Sequence, residues 1–147
     1  MVAGSSKPAL VLDCSILMAA YLPDEQTTLA EAALRIVAEH GAIVPAQWPA
    51  EVANVLLMCV RRGRIDLAQM AALRDEIVRL PVEIDPASLA CIIGPVWQLA
   101  HTHNLTVYDA AYLELAQRAQ IPLATLDDAL RRAAGAVGVK VFADTGS

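Results

Sequence analysis

Short apolar runs alternate with longer amphipathic stretches along the chain. The runs predict buried strands at residues 9–12, 42–45, 82–84, 122–125 and 139–142. Apolar positions at helical spacing predict helices at residues 15–22, 26–40, 48–62, 66–80, 86–103, 106–120 and 127–134. Because strands alternate with helices, we expect an α/β fold in which a parallel sheet is covered on both faces, a three-layer α/β/α sandwich.

Length and composition fit one globular domain. The chain has 147 residues, which predicts a single domain over residues 8–147 after a flexible Gly- and Ser-rich leader at residues 1–7. Hydrophobic residues make up 56% and charged residues 18%, a balance that excludes a disordered chain. The longest stretch without a formal charge, residues 86–108, contains Gly94-Pro95, two histidines and an asparagine. It therefore predicts a broken helix pair, not a membrane span.

Cysteine usage and net charge narrow the functional classes. Cys14, Cys59 and Cys91 are odd in number and show no C-x-x-C spacing, which indicates a reducing, cytoplasmic location and argues against a thiolate metal site. The net charge of −5 argues against a general basic clamp for nucleic acid. A nuclease with this charge would need metal ions to attract phosphate into its cleft.

Acidic side chains stand where predicted strands end or helices begin. Asp13 follows the first strand, and ligands of parallel sheets bind beyond the carboxyl ends of the strands. Asp13 or Ser15 could instead cap the next helix. Glu51 lies in the first turn of the third helix, where it could simply complement the helix dipole. Asn54 lies beside it and could orient it or a bound water.

Asp109 falls on the apolar face of its predicted helix. On a helical wheel that face includes Tyr112, whereas Glu114 and Arg118 lie opposite. An acid that faces the core needs a metal ion, a cation or several hydrogen-bond donors. The alternative is a Thr106-x-x-Asp109 capping box, which would satisfy the carboxylate locally.

Asp127 and Asp128 follow the fourth strand and open the last helix. Thr125-x-x-Asp128 can be interpreted as a capping box, which would leave Asp127 available for a site. The four acids thus share one predicted edge of the sheet. Clustered carboxylates are ligands that Mg²⁺ and Mn²⁺ prefer, and one or two such ions can activate water and bridge a scissile phosphate.

The residues also resemble a known family. Four segments are similar to PIN-domain ribonucleases, specifically VapC-like toxins of toxin–antitoxin pairs: Leu12-Asp-Cys-Ser15, Trp48-Pro-Ala-Glu-Val-Ala-Asn-Val-Leu56, Tyr108-Asp-Ala-Ala-Tyr-Leu-Glu-Leu-Ala116 and Ala124-Thr-Leu-Asp-Asp-Ala-Leu130. Their order and spacing extend the similarity over nearly the whole chain.

This resemblance implies a Mg²⁺- or Mn²⁺-dependent endoribonuclease that cuts RNA phosphodiester bonds with metal-activated water. It also implies a homodimer, a cognate antitoxin that wraps the active-site groove, and a five-stranded parallel sheet of order 3-2-1-4-5. The implied catalytic, metal-binding acids are Asp13, Glu51, Asp109 and Asp127. The implied supporting residues are Ser15, Asn54 and Thr125.

Two groups of arginines are candidates for contacts with RNA phosphates or antitoxin carboxylates. Arg61, Arg62 and Arg64 cluster at the end of the third helix, and Arg131 and Arg132 lie in the last helix. They could equally be solvated cations favoured near helix C-termini.

Three other hypotheses stay open at this point. One is a thiol hydrolase that pairs Cys14 with His40, His101 or His103. Another is a catalytically inactive interaction domain of the same fold, and the third is a DNA nuclease of the same architecture.

Overall fold

The computed structural model describes residues 7–22, 24–25 and 27–143. The leader expected at residues 1–7 lies outside these ranges except for Lys7. The Lys7 ammonium donates a hydrogen bond to the Gln120 carbonyl at 3.3 Å. The described part of the chain therefore begins with a contact next to the first strand.

The sheet is parallel and has the order β3-β2-β1-β4. Its strands are β1 (Leu10–Leu12), β2 (Ala42–Pro45), β3 (Val82–Asp85) and β4 (Leu123–Ala124). The α/β fold with a parallel sheet is therefore confirmed.

The fifth predicted strand is present only as a bridge between Val141 and Leu123. The Leu123 N–H donates to the Lys140 carbonyl at 2.9 Å, and the Phe142 N–H donates to the Leu123 carbonyl at 2.8 Å. Strand β4 itself pairs with β1 through only two residues. A segment on its other side can therefore form little more than one bridge with it. Val141 still occupies the fifth place of the predicted order 3-2-1-4-5.

Eight α-helices and one π-helical turn surround the sheet in the described residues. They are α1 (Cys14–Tyr21), α2 (Thr28–His40), α3 (Trp48–Arg61), α4 (Leu67–Val78), α5 (Leu89–Cys91), the π-helical turn (Ile92–Val96), α6 (Trp97–His103), α7 (Val107–Ala119) and α8 (Asp128–Ala136). Residues 86–108 contain the break expected between two helices, which falls at Asn104 before α7. The first of these helices, predicted over residues 86–103, is one continuous helical segment from Leu89 to His103. Pro95 lacks the N–H of a regular helix, and the wider π-turn accommodates it without ending the segment.

Helix α7 lies at the centre of the packing. Tyr112, Leu113 and Leu115 join the main hydrophobic core with the strands, while Ala110 and Ala111 pack against α6 in a second, smaller cluster. A helix enclosed on both sides leaves little of its circumference to solvent. The side chains that α7 carries are therefore held in fixed positions.

The parallel strands bring four chain segments to one edge of the sheet. Asp13 and Thr125 follow β1 and β4, and Asp85 ends β3. Helices α3 and α8 begin at this edge because they follow β2 and β4, and α7 also begins there because it runs back to the start of β4. We call this the carboxyl edge. No helix in the described residues is long and apolar enough to cross a membrane.

Candidate active site

Asp13 stands at the carboxyl end of β1 and is almost fully buried, with 8% of its surface exposed. Its Oδ2 accepts hydrogen bonds from the Ser15 hydroxyl at 2.7 Å and from the Thr125 hydroxyl at 2.6 Å. Its N–H donates to the Ala124 carbonyl at 3.0 Å, which ties the end of β1 to β4. Although Asp13 precedes α1, its side chain makes no capping hydrogen bond. The two hydroxyls thus fix the position of the Asp13 carboxylate, which does not serve as the cap of α1.

Glu51 reaches the carboxyl edge from the first turn of α3. The phenolic hydroxyl of Tyr112, from α7, donates a hydrogen bond to Glu51 Oε1. Tyr112 is buried, and a buried phenol requires such a partner. The sequence pattern placed Tyr112 only among apolar core residues, so this role was missed.

Asp109 lies half-buried in the first turn of α7. The Thr106 hydroxyl accepts a hydrogen bond from the Asp109 N–H at 3.0 Å, so Thr106 caps the helix. The cap uses the backbone of Asp109, and its carboxylate makes no reciprocal hydrogen bond to the Thr106 N–H in the described residues. The cap thus relies on the backbone of Asp109, and the nearby Thr106 side chain opposes the rise that burial causes in the pKa of the Asp109 carboxyl group.

Asp127, not Thr125, caps α8. Its Oδ1 accepts from the Leu130 N–H at 2.9 Å, while its own N–H donates to the Thr125 hydroxyl at 3.1 Å. The Thr125-x-x-Asp128 capping box was therefore wrong: α8 starts at Asp128, so Asp127 is its N-cap, and the Thr125 hydroxyl accepts from the Asp127 N–H while it donates to Asp13. Asp127 combines a capping oxygen with a second oxygen at the exposed carboxyl edge.

The acids influence one another electrostatically. Burial raises the pKa of Asp13, and the nearby Asp127 raises that pKa further. Burial likewise raises the pKa of Asp109, with Asp127 and Asp13 adding to the effect, against a hydrogen bond with the Thr106 side chain. The pKa of Glu51 is raised by burial and by Asp13 and Asp109, against the hydrogen bond from Tyr112. Mutual repulsion of this kind requires that the carboxylates lie near one another.

The donor set fits an oxygen-preferring cation. Asp13, Glu51 and Asp127 each use one carboxylate oxygen to accept a hydrogen bond, from a hydroxyl group or from the backbone N–H that the cap satisfies. The other oxygen of each accepts no side-chain hydrogen bond among residues 7–22, 24–25 and 27–143. No three His, Cys, Asp or Glu side chains of these residues are close enough to enclose a metal ion. An open arrangement is compatible with Mg²⁺, which usually keeps several waters and takes one or two carboxylates.

Asn54 and Arg64 make no hydrogen bond to any of the four acids in the described residues. Asn54 is exposed on α3, and no hydrogen bond joins it to Glu51 in the described chain. Arg64 binds Asp24 and Glu25 through Nη2, at 2.8 and 2.7 Å. These contacts hold Arg64 against the segment between α1 and α2.

The arginine pairs at two helices differ in position. Arg61 and Arg62 are exposed at the end of α3, roughly 16 Å along the helix from Glu51 at 1.5 Å per residue. Arg131 and Arg132 lie in the second turn of α8, close to the carboxyl edge. Only the second pair lies near the acids.

Cys14 has the environment of a structural thiol. Burial, with additional repulsion from Asp13 and Glu51, raises the pKa of Cys14 to about 12. A nucleophilic cysteine needs the opposite shift, because the thiolate is the reactive form. The thiol-hydrolase hypothesis therefore has no support at Cys14.

A second ionic cluster at the carboxyl edge was not expected from the sequence. Arg118 Nη1 and Nη2 donate to the two carboxylate oxygens of Asp85 at 3.2 and 2.7 Å, and its Nε donates to Glu114 Oε2 at 2.9 Å. Asp85 and Glu114 are buried. The helical wheel placed Glu114 on a solvent-facing side, which was wrong because α7 is covered on that side too.

The fold and the acidic edge define a class that comparison with known proteins identifies. The PIN domain family model matches residues 10–136. The chain therefore belongs to the PIN-domain family. Within this family it is VapC-like, and a relative named Ribonuclease VapC3 from Pyrobaculum aerophilum is 34% identical over 118 residues, covering 80% of this chain and 88% of the relative.

Other relatives agree with this assignment. A Ribonuclease VapC3 from Mycobacterium tuberculosis is 35% identical over 89 residues, covering 60% of this chain and 62% of the relative. The crystal structure of PAE2754 from Pyrobaculum aerophilum has a TM-score of 0.66 at 24% identity, covering 90% of this chain and 83% of that one. The crystal structure of FitAcB from Neisseria gonorrhoeae has a TM-score of 0.64 at 17% identity, with coverage of 91% and 96%. These two structures support the fold.

Proposed function

We propose that this protein is a Mg²⁺- or Mn²⁺-dependent endoribonuclease and the toxin of a toxin–antitoxin pair. The observation that carries the proposal is the meeting of Asp13, Glu51, Asp109 and Asp127 at the carboxyl edge, where side-chain hydroxyls hold Asp13 and Glu51. Repulsion among neighbouring carboxylates costs stability unless a cation offsets it. The match to the PIN domain and the relatives named Ribonuclease VapC3 support the choice of a phosphodiesterase acting on RNA.

Some residues of the chain would hold the cation, and others position the residues that hold it. Asp13, Glu51, Asp109 and the second oxygen of Asp127 would hold the cation, one or two of them directly and the others through its bound waters. When bound, the ion supplies an activated water and neutralises charge on the scissile phosphate. Ser15 and Thr125 hold Asp13, so that its Oδ1 keeps one direction.

Tyr112 holds Glu51 in the same way. Because the phenol binds Oε1, Oε2 is directed by the fixed position of α7. We assign Asn54 a role at the rim of this site, since it is exposed one turn from Glu51 and can donate or accept a hydrogen bond.

Protein partners form part of the proposal. Several large apolar side chains are exposed, which is typical of surfaces that another protein covers; they include Leu57, Leu67, Val78, Leu89 and Ile93. An apolar groove of about 410 Å³ between α3, α4 and β3 lies beside some of them. We propose that a homodimer and a cognate antitoxin cover these surfaces, which light scattering of the chain alone and with its antitoxin would test.

The decisive experiment is cleavage of a structured RNA by the purified protein with Mg²⁺ or Mn²⁺, with chelator, and after alkylation of the cysteines. We expect cleavage that chelation abolishes and alkylation leaves intact. Asp109→Asn should reduce cleavage to background, whereas Asp75→Asn, the same change at an exposed position on α4, should not.

Two outcomes would refute the proposal. If Asp109→Asn protein cleaves RNA at the full rate, the assignment of the acids is wrong. If DNA of the same sequence is cut and RNA is not, the protein is a DNA nuclease of this architecture. Melting curves of each variant confirm that a lost activity is not a lost fold.

A further inference from the structure

A small cavity whose lining includes an arginine and a histidine lies between the C-terminal end of α6 and one face of α8. It has a volume of about 280 Å³, close to the lower end of the ~300–1,000 Å³ usual for ligand pockets. Its lining residues are His103, Asn104, Ala129, Arg132, Ala133 and Ala136. Resting on the proposed ribonuclease function, we propose that this cavity binds a backbone phosphate of the RNA strand next to the scissile bond.

The position of the cavity is the first reason. Ala129 lies two residues beyond Asp127, and Asn104 lies two residues before Thr106, the cap of the helix that carries Asp109. One end of the cavity therefore lies beside the segments that carry Asp109 and Asp127, and the cavity extends from there along α8 to Ala136.

The chemistry of the lining is the second reason. It contains no acid, although acids lie nearby, and both of its ionisable side chains, His103 and Arg132, are hydrogen-bond donors. Arginine recognises phosphate with two parallel hydrogen bonds. On α8 the rest of the wall is alanine, which leaves space for a ligand.

The availability of Arg132 is the third reason. Arg64, Arg74 and Arg118 are each bound to carboxylates. Arg132 is exposed and has no ion-pair partner within the described ranges. A chain of net charge −5 with an acidic centre repels RNA, so an uncommitted cation beside that centre has a large effect on binding.

RNA is favoured over an acidic protein segment as the occupant. A phosphate contact beside the metal-binding acids positions the strand for cleavage. It also predicts a specific salt dependence, which a contact used only by a protein partner would not produce in RNA binding.

The test compares Arg132→Gln with Arg79→Gln, which removes the same charge at the exposed end of α4. Cleavage of a single-stranded RNA in Mn²⁺ should show KM raised about tenfold by Arg132→Gln, as expected for one charged hydrogen bond, with kcat nearly unchanged. Arg79→Gln should match the unmodified chain. The slope of log KM against log salt should flatten by about 0.7 for Arg132→Gln, the value for one phosphate on a single strand.

RNA binding measured in the Asp109→Asn background, where the RNA is expected to persist, separates this inference from the proposed function. Equal binding by Arg132→Gln and its parent overturns the phosphate site. So does a loss that affects only one RNA sequence, because phosphate contacts carry no sequence information. If the unmodified chain cuts no RNA, the proposed function fails, while a weaker RNA affinity of Arg132→Gln would still support the site.

Discussion

The Tyr112 hydroxyl on α7 donates a hydrogen bond to the Glu51 carboxylate on α3. This contact joins two helices that meet the carboxyl edge from chain positions 61 residues apart. Since Asp109 lies three residues before Tyr112 on α7, one helix both carries an acid and orients another. Placement of the acids relative to each other thus depends on the packing of α7.

Replacing Tyr112 with Phe removes only the hydroxyl group and tests this positioning role. We expect the Mn²⁺ concentration that gives half-maximal RNA cleavage to rise about tenfold, which is within the range for partners that orient metal ligands. The physical reason is that Glu51 loses the hydrogen bond that favours its ionised form and fixes its direction. Tyr108→Phe is the matched control, because Tyr108 is on the same helix but exposed. Equal metal requirements of the two variants would contradict the role.

The raised pKa values of the acids predict how stability depends on pH without metal. A folded-state pKa above the unfolded value means that ionisation disfavours the folded state. The contribution of Asp13, Glu51 and Asp109 to the free energy of unfolding therefore falls as pH rises from the unfolded value of about 4 through their folded-state pKa. We expect Asp109→Asn to be more stable than the unmodified chain at pH 7 in EDTA, by a margin that shrinks towards pH 4.

Urea denaturation in EDTA at pH 4, 5, 6 and 7 measures that margin. Asp75→Asn should show no comparable pH dependence, because Asp75 is exposed beside Arg74. Added Mn²⁺ should stabilise the unmodified chain more than Asp109→Asn. A margin that stays constant with pH would mean that Asp109 does not share a repulsive cluster.

Thr125 is predicted to be needed for its hydroxyl more than for its shape. Thr125→Val keeps the shape but leaves Asp13 Oδ2 with one donor fewer and the Asp127 N–H without its acceptor. We expect a loss of about 1–3 kcal/mol in the free energy of unfolding and a roughly 10–100-fold loss of cleavage. Thr125→Ser should recover most of both. Failure of Ser to recover activity would show that packing, not hydrogen bonding, matters at this position.

The Arg118 cluster is predicted to stabilise the fold without taking part in cleavage. Arg118→Met leaves Asp85 and Glu114 buried without their cation. We expect a loss of roughly 1–3 kcal/mol, below the value for a fully buried pair because the Arg118 side chain is 46% exposed. Adding Asp85→Asn and Glu114→Gln to Arg118→Met should restore stability. Cleavage per folded molecule should stay unchanged throughout, as determined by activity below each melting temperature.

The sequence predicted the strands and the edge at which the acids lie, because these depend on local patterns. The run from Leu10 to Leu12 and the acid after it follow from apolar periodicity and strand ends. The fifth strand was wrong in extent, since its pairing is limited by the two-residue length of β4. The length of the fifth strand thus depends on the strand beside it in space, and the hydrophobic periodicity of one segment carries no information about its neighbour.

Contacts between residues that are far apart in the sequence could not be predicted. Tyr112 looks like a core residue on a helical wheel, and only the arrival of α3 gives its hydroxyl an acceptor. Glu114 was expected to face solvent but is buried by the helical segment before α7. At the start of α8 the motif predicted Thr125 as the cap, whereas the helix begins later than that scheme requires, at Asp128, and Asp127 caps it.

The dispersal of the four acids over residues 13 to 127 has a consequence for synthesis of the chain. A ribosome makes the protein from the N-terminus, and α7 and α8 appear only after some three-quarters of the chain. Asp13 and Glu51 therefore emerge long before the residues that complete their surroundings. A nascent chain holds no finished acidic centre, so the proposed toxin would become active only once its translation is nearly complete.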